Sequence, residues 1–124
     1  MMMKNGAPIE VHPERPNYYN LLHVDDCIEK IPRLLAAVSP DVTMTNFAGA
    51  PRVSIEEWCG YLGELTGLEP RFADNPTAFV CLCTDLTRMH SLVGATKVDW
   101  RDGLRRMVEA LAPELLAAGK FRRG

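Results

Sequence analysis

TNFAGAPRVSIEEWCGYLGELTG, from Thr45 to Gly67, is the stretch that decides the fold. Within it, Ser54-Ile55-Glu56-Glu57 is a capping box: the Ser54 hydroxyl is placed to accept from the Glu57 amide, and the Glu57 carboxylate to accept from the Ser54 amide. Val53 and Trp58 stand at the hydrophobic-staple positions on either side. Ile55, Trp58, Cys59, Leu62 and Leu65 recur at helical spacing and face a core, and Gly67 supplies the left-handed stop. The segment just before, DVTMTNFAG (Asp41 to Gly49), is β-branched and aromatic in parts and ends in turn residues, which predicts a strand.

Working outward, Pro8 to His12 reads as a short extended segment, Glu14 to Asn20 as a loop, and Leu21 to Val24 as a brief apolar run ending at Asp25-Asp26. Those aspartates read as helix caps, because a carboxylate there can accept the orphan amides of the next turn. The helix they open runs to about Val38, with Ile28, Ile31, Leu34, Leu35 and Val38 making one apolar stripe. Pro32 either kinks that helix or marks its true first turn. Downstream, Glu69 to Ala73 and Ala78 to Cys83 read as extended. Thr84 or Asp85 caps a short helix carrying Leu86, Met89 and Leu92 and stopped by Gly94. Asp99 caps a last helix carrying Trp100, Leu104, Met107, Val108 and Leu111, with Asp102 in its first turn at the positive end of the dipole. Pro113 ends that helix or starts a further turn through Leu116. The order β, α, β, α, β, α, α indicates the α/β class, and residues 1–124 read as one unit with no internal boundary.

Composition narrows the function classes. The balance of 47% hydrophobic and 24% charged residues is that of a globular protein. A formal net charge of −2 argues against nucleic acid or an anionic membrane as a partner, since both reward a basic face. Lys120, Arg122 and Arg123 make a short solvated tail rather than a binding stripe. No apolar run approaches the roughly 20 residues that span a bilayer. MMMKNG lacks the apolar segment of a signal peptide, so a cytoplasmic chain is expected. Cys27, Cys59, Cys81 and Cys83 are then expected to be reduced, buried small hydrophobes.

The chemistry of the chain is defined first by what it lacks. A dinucleotide site needs a glycine-rich turn between strand and helix, so that pyrophosphate can approach bare amides. Gly60, Gly63 and Gly67 lie within or at the end of the capped helix, and Gly60 and Gly63 read as close-packing positions. The three tyrosines, Tyr18, Tyr19 and Tyr61, are followed four residues on by Leu22, His23 and Leu65, so no Tyr-x-x-x-Lys exists. There is no Gly-x-Ser-x-Gly elbow, and Ser39, Ser54 and Ser91 sit in cap or loop contexts. A metal site could draw on His23, Cys27, Cys81, Cys83 and His90, but a lone Cys-x-Cys is weak and two buried strand thiols are the simpler reading. No catalytic, cofactor or metal residue is assigned.

Four motifs nevertheless resemble one family in order. PNYYNLLHVDD (Pro16 to Asp26) is similar to the I-H-V-D-D segment of extended short-chain dehydrogenases, the NAD-dependent epimerase/dehydratase family. Thr45 to Gly67 resembles its strand-turn-helix, DLTRMHSLVG (Asp85 to Gly94) its D-x-s-k-a-x-x-L-G, and WRDGLRRMVEAL (Trp100 to Leu111) its final helix. The resemblance spans about Gly6 to Leu111. It implies the C-terminal, substrate-side lobe of an NAD(P)-binding Rossmann-like fold, lacking the dinucleotide-binding half and the catalytic Ser/Thr-Tyr-Lys set.

NAD or NADP is implied for a full-length member, and no cofactor for this chain alone. The expected partner is a small-molecule substrate, contacted by Arg15, Tyr18, Tyr19 and His23, with Asn46 to Pro51 nearby. His23 fits a pocket-lining role and a packed, hydrogen-bonded strand-end role equally well. Nucleotide-sugar members often carry an arginine where Tyr19 stands, so a smaller carbonyl substrate is at least as strong an expectation as a nucleotide diphosphate. A lobe of this kind should be inactive alone and self-associate through an exposed strand edge or apolar surface. The alternative is a stand-alone small-molecule-binding or protein-interaction module derived from the same lobe.

Overall fold

A computed structural model describes residues 2–116, so the basic tail at Lys120, Arg122 and Arg123 lies outside the described residues. Along the chain come β1 (Ile9–Val11), β2 (Tyr18–Asn20), α1 (Val24–Ala36), β3 (Arg52–Ser54), α2 (Ile55–Thr66), β4 (Phe72–Asp74), β5 (Cys81–Leu82), α3 (Thr87–Val93) and α4 (Trp100–Leu111). β1 pairs with β4 in parallel, with Ile9 opposite Phe72. β2 is the middle strand of a second sheet, antiparallel to β3 with Tyr18 opposite Ser54, and parallel to β5 with Tyr18 opposite Cys81. The class is α/β, as expected, although the segment read as a loop before Asn20 ends in β2.

Two small apolar clusters hold these elements. Ile9, Val11, Ile55 and Cys59 form one, with Met3, Tyr19 and Trp58 packed on it. Leu86, Met89 and Val93 form the other, against which Leu34, Phe47, Ala48 and Leu92 pack. α2 packs on α4 and α1 on α3.

α2 is built as its sequence dictates. Both capping-box hydrogen bonds form, Glu57 N to Ser54 Oγ at 3.1 Å and Ser54 N to Glu57 Oε2 at 2.8 Å. Gly67 closes the helix at φ 71°, in the left-handed region open to glycine.

α1 corrects three readings. It starts at Val24, and its cap is His23, whose Nδ1 accepts from the Asp25 amide at 3.1 Å. Asp26 does not cap: it is buried, and its two oxygens accept from the amides of Lys97 (2.7 Å) and Val98 (3.0 Å). The loop leading into α4 thus brings its own orphan amides, and a carboxylate in the first turn of α1 satisfies them. Most of the apolar stripe faces outward: Ile28, Ile31 and Leu35 are exposed, as are Val24 and, just beyond the helix, Val38, while Leu34 packs on the core. The buried face instead carries Asp26 and Lys30.

Asp41 to Gly49 is not a strand: among the described residues no backbone ladder forms along it. The segment keeps an alternating exposure, with Val42, Met44 and Asn46 out and Thr43, Thr45 and Phe47 half-buried. Gly49 then passes so close to the chain that a Cβ there would stand 1.7 Å from the Leu21 carbonyl oxygen. Asp85 accepts from the Thr87 amide at 2.8 Å at the start of α3, and Pro113 opens a further helical turn through Leu116.

Candidate functional site

The four residues expected at the substrate do not converge. Tyr18 and Tyr19 are neighbours on β2 and therefore face opposite ways. Tyr19 packs against the cluster of Ile9, Val11, Ile55 and Cys59, in a structural role. Tyr18 faces the other side, where the Arg52 guanidinium sits 5.5 Å from its ring centre. Arg15 is exposed in the loop before β2, and its carbonyl accepts from the buried Asn17 side chain. His23 caps α1 and packs its ring on Gly103 of α4, where a Cβ would approach the imidazole Cδ2 at 3.1 Å. Glycine at 103 is what lets α4 come this near.

Two surfaces result. The first is a polar ledge on the three-stranded sheet. Asn20 is locked there, accepting from the Thr84 amide at 3.0 Å and donating to the Pro51 carbonyl at 3.4 Å. Arg52 stands directly across from Asn20 on β3, exposed and with no ion pair among the described residues. Cys81 lies opposite Tyr18 on the other flank. Cys81 is exposed and Cys83 partly so, which corrects the reading of two buried strand thiols. Burial first, and then the neighbouring Cys81 thiol, raise the Cys83 pKa, while Arg52 opposes the rise. Of the four cysteines only Cys59 is buried, where desolvation pushes its thiol up to about 11.

The second surface is an open cleft of about 670 Å³ lined by Leu21, Leu22, His23, Trp100, Gly103 and Met107, among others. Its walls are mostly apolar, with Asp25 and Arg106 joined across one side at 2.9 Å.

The ledge can recognise an anionic or aromatic group through a guanidinium and a phenol. It offers no phenol–lysine pair for proton transfer. Among the described residues no three of His, Cys, Asp and Glu gather where a metal could sit, and no helix is long and apolar enough to cross a membrane. Arg52 was missed from sequence because its meaning comes from the pairing of β3 with β2; the only local signal was its place just after Pro51.

No family model and no curated protein matches the chain. Solved structures do. The fold is similar to MoeE5 in complex with UDP-glucose and NAD, at 22% identity and a TM-score of 0.72 over 90% of this chain and 38% of that one. It is also similar to UDP-glucuronic acid 4-epimerase from Bacillus cereus in complex with NAD (18% identity, TM-score 0.62, 84% of this chain and 34% of that one). UDP-glucose 4-epimerase from Thermotoga maritima, solved with UDP-glucose, matches 98% of this chain and 37% of its own at 21% identity and a TM-score of 0.64. The chain therefore spans little more than a third of the length of these epimerase-type chains, and within that span it has their α/β fold.

Proposed function

We propose that the chain is the substrate-side part of an NAD(P)-dependent oxidoreductase or epimerase of the extended short-chain dehydrogenase type, and that it is catalytically silent alone. One observation carries this reading: the fold of nearly the whole chain coincides with about a third of NAD- and UDP-sugar-bound enzymes, while the sequence holds neither a glycine turn nor a Tyr-x-x-x-Lys. In a completed molecule Tyr18 and Arg52 contact the substrate, with Arg15 at the rim and His23 shaping the adjoining cleft. Arg52 bears on the substrate class. Tyr19 does not supply the fixed positive charge that a diphosphate calls for, but a guanidinium stands one strand across, beside Asn20. That favours an anionic, phosphate-bearing substrate over a small neutral carbonyl compound.

The test is calorimetric titration of the purified chain with NAD(H) and NADP(H). No binding is expected; micromolar affinity for either dinucleotide overturns the reading. A second titration, with UDP-glucose, separates the two substrate classes: weak binding lost in Arg52→Ala supports the anionic one.

A stand-alone binding module is the second reading, and a specific feature favours it. A cleft of about 650 Å³ lies between β1, α2 and α4, lined by Ile9, Ile55, Trp58, Leu62 and Val108. Trp58 Nε1 is buried there with no hydrogen-bond partner among the described residues. An apolar ligand with one acceptor would satisfy it. Saturable quenching of tryptophan fluorescence by such a ligand, abolished in Trp58→Phe, would support the module.

A further inference from the structure

Cys81 and Cys83 stand on the flank of the ledge away from Arg52. Cys81 is in register with Tyr18 on β2 and so shares its face. Cys83 is two residues on, and period two returns it to that face, beside Asn20, whose Oδ1 accepts from the Thr84 amide. Arg52, across Asn20 on β3, is close enough to act on the Cys83 thiol. One face thus carries two rows, Ser54–Tyr18–Cys81 and Arg52–Asn20–Cys83. The two thiols stand within interaction range of each other. Cys81 is exposed and Cys83 partly so, and a solute can reach the pair.

Geometry selects among the chemistries open to a dithiol. Alternate residues of a strand stand roughly 6.6 Å apart, near the outer end of the span that a disulfide bridges. A disulfide also demands sulfurs about 2 Å apart, so closing one would bend the chain beside the Asn20–Thr84 hydrogen bond. A linear sulfur–metal–sulfur unit, with bonds of about 2.3 Å, holds its sulfurs about 4.6 Å apart and fits the extended backbone without that bend. Zinc calls for four ligands, and among the described residues no third His, Cys, Asp or Glu gathers here. Two thiolates alone suit a soft cation that accepts two-coordination, and soft sulfur ligands select Cu(I).

We propose that Cys81 and Cys83 form a two-coordinate site for a soft monovalent cation of the Cu(I) type. Each thiol gives up its proton to solvent, and each sulfur donates one electron pair to the cation. The metal stays Cu(I), so no oxidant or reductant takes part. Two thiolates and one monovalent cation leave one net negative charge, and the Arg52 guanidinium offsets it from the same face. The site is independent of the substrate-side reading.

The test is to titrate the reduced chain, under argon, with Cu(I) held as its coloured bicinchoninate complex. Loss of colour should show one Cu(I) captured per chain, and X-ray absorption of the loaded chain should show two sulfur neighbours. Affinity should rise with pH, because two protons leave for each cation bound. Cys81→Ser and Cys83→Ser should each weaken capture by at least about a hundredfold, since losing a ligand costs more than losing a ligand's support. Both variants should keep the circular dichroism of the parent chain. Cys27→Ser should capture Cu(I) unchanged, and Arg52→Ala should weaken capture about threefold. Four results overturn the proposal: no capture from the complex, capture that survives either serine variant, capture that requires Cys27, or one Cu(I) shared between two chains. Equal capture by Arg52→Ala would strike the arginine from the site. The dinucleotide titration reads a different property, so either reading can fail while the other stands.

Discussion

α1 and α2 are nearly the same length, 13 and 12 residues, and they are built the opposite way round. α2 is self-sufficient: a capping box, a left-handed glycine stop, and an apolar face buried through Ile55 and Cys59. α1 hides its charge and shows its grease. Its buried positions are Asp26, latched to the loop before α4, and Lys30, 1% exposed and 2.8 Å from Glu29 Oε2. That contact is an ion pair by distance, but its angles leave Glu29 Oε2 without a hydrogen bond. A helix that finds its core within the chain can be read locally. A helix whose apolar face points away from the described core cannot be read from its own pattern.

The largest test of this contrast is a matched pair. Ile55→Ala should destabilise the chain by about 2–4 kcal/mol, whereas Ile31→Ala should change it by less than about 0.5 kcal/mol, both read by urea unfolding. Equal losses would mean that the outer stripe of α1 is already covered. Next is the latch. Asp26→Ala strands two amides and should cost about 3 kcal/mol, while Asp26→Asn keeps an acceptor and should cost less. Were Asp26 only a helix cap, the alanine loss would be nearer 1 kcal/mol.

Ser54→Ala should lower stability by about 1 kcal/mol through loss of the capping box, with the effect confined to exchange rates in the first turn of α2. The smallest effect is on pH. The ammonium groups of Lys30 and Lys97 hold the Glu29 carboxyl at about 2, below its usual 4.5. Because the folded value is the lower one, its contribution is fully present above pH 4.5 and fades as pH falls toward 2. Glu29→Gln should flatten that part of the acid-unfolding curve and leave the neutral region little changed.

Much of the candidate site was hidden in the sequence for one reason. Tyr18 and Tyr19 looked alike as loop residues; once β2 exists, period two sends one to the ledge and the other to the core. Arg52 and Asn20 become neighbours only through strand register. His23 was the undecided residue, and its neighbour Gly103, 80 positions away, shows what packs against it.

By itself, the sequence determined the elements whose signals are local: the helix from Ser54 to Gly67, the cap at Asp99, the stop at Gly94, and the lack of a glycine turn or an activated phenol. These depend on side chains three or four residues apart, bonding to their own backbone. Tertiary structure alone decided which face of α1 is buried, that Asp26 serves a distant loop, and that Asp41 to Gly49 pairs with no strand among the described residues. Each of those turns on whether a hydrogen-bond or packing partner stands far along the chain or nowhere among the described residues, and no local pattern encodes that.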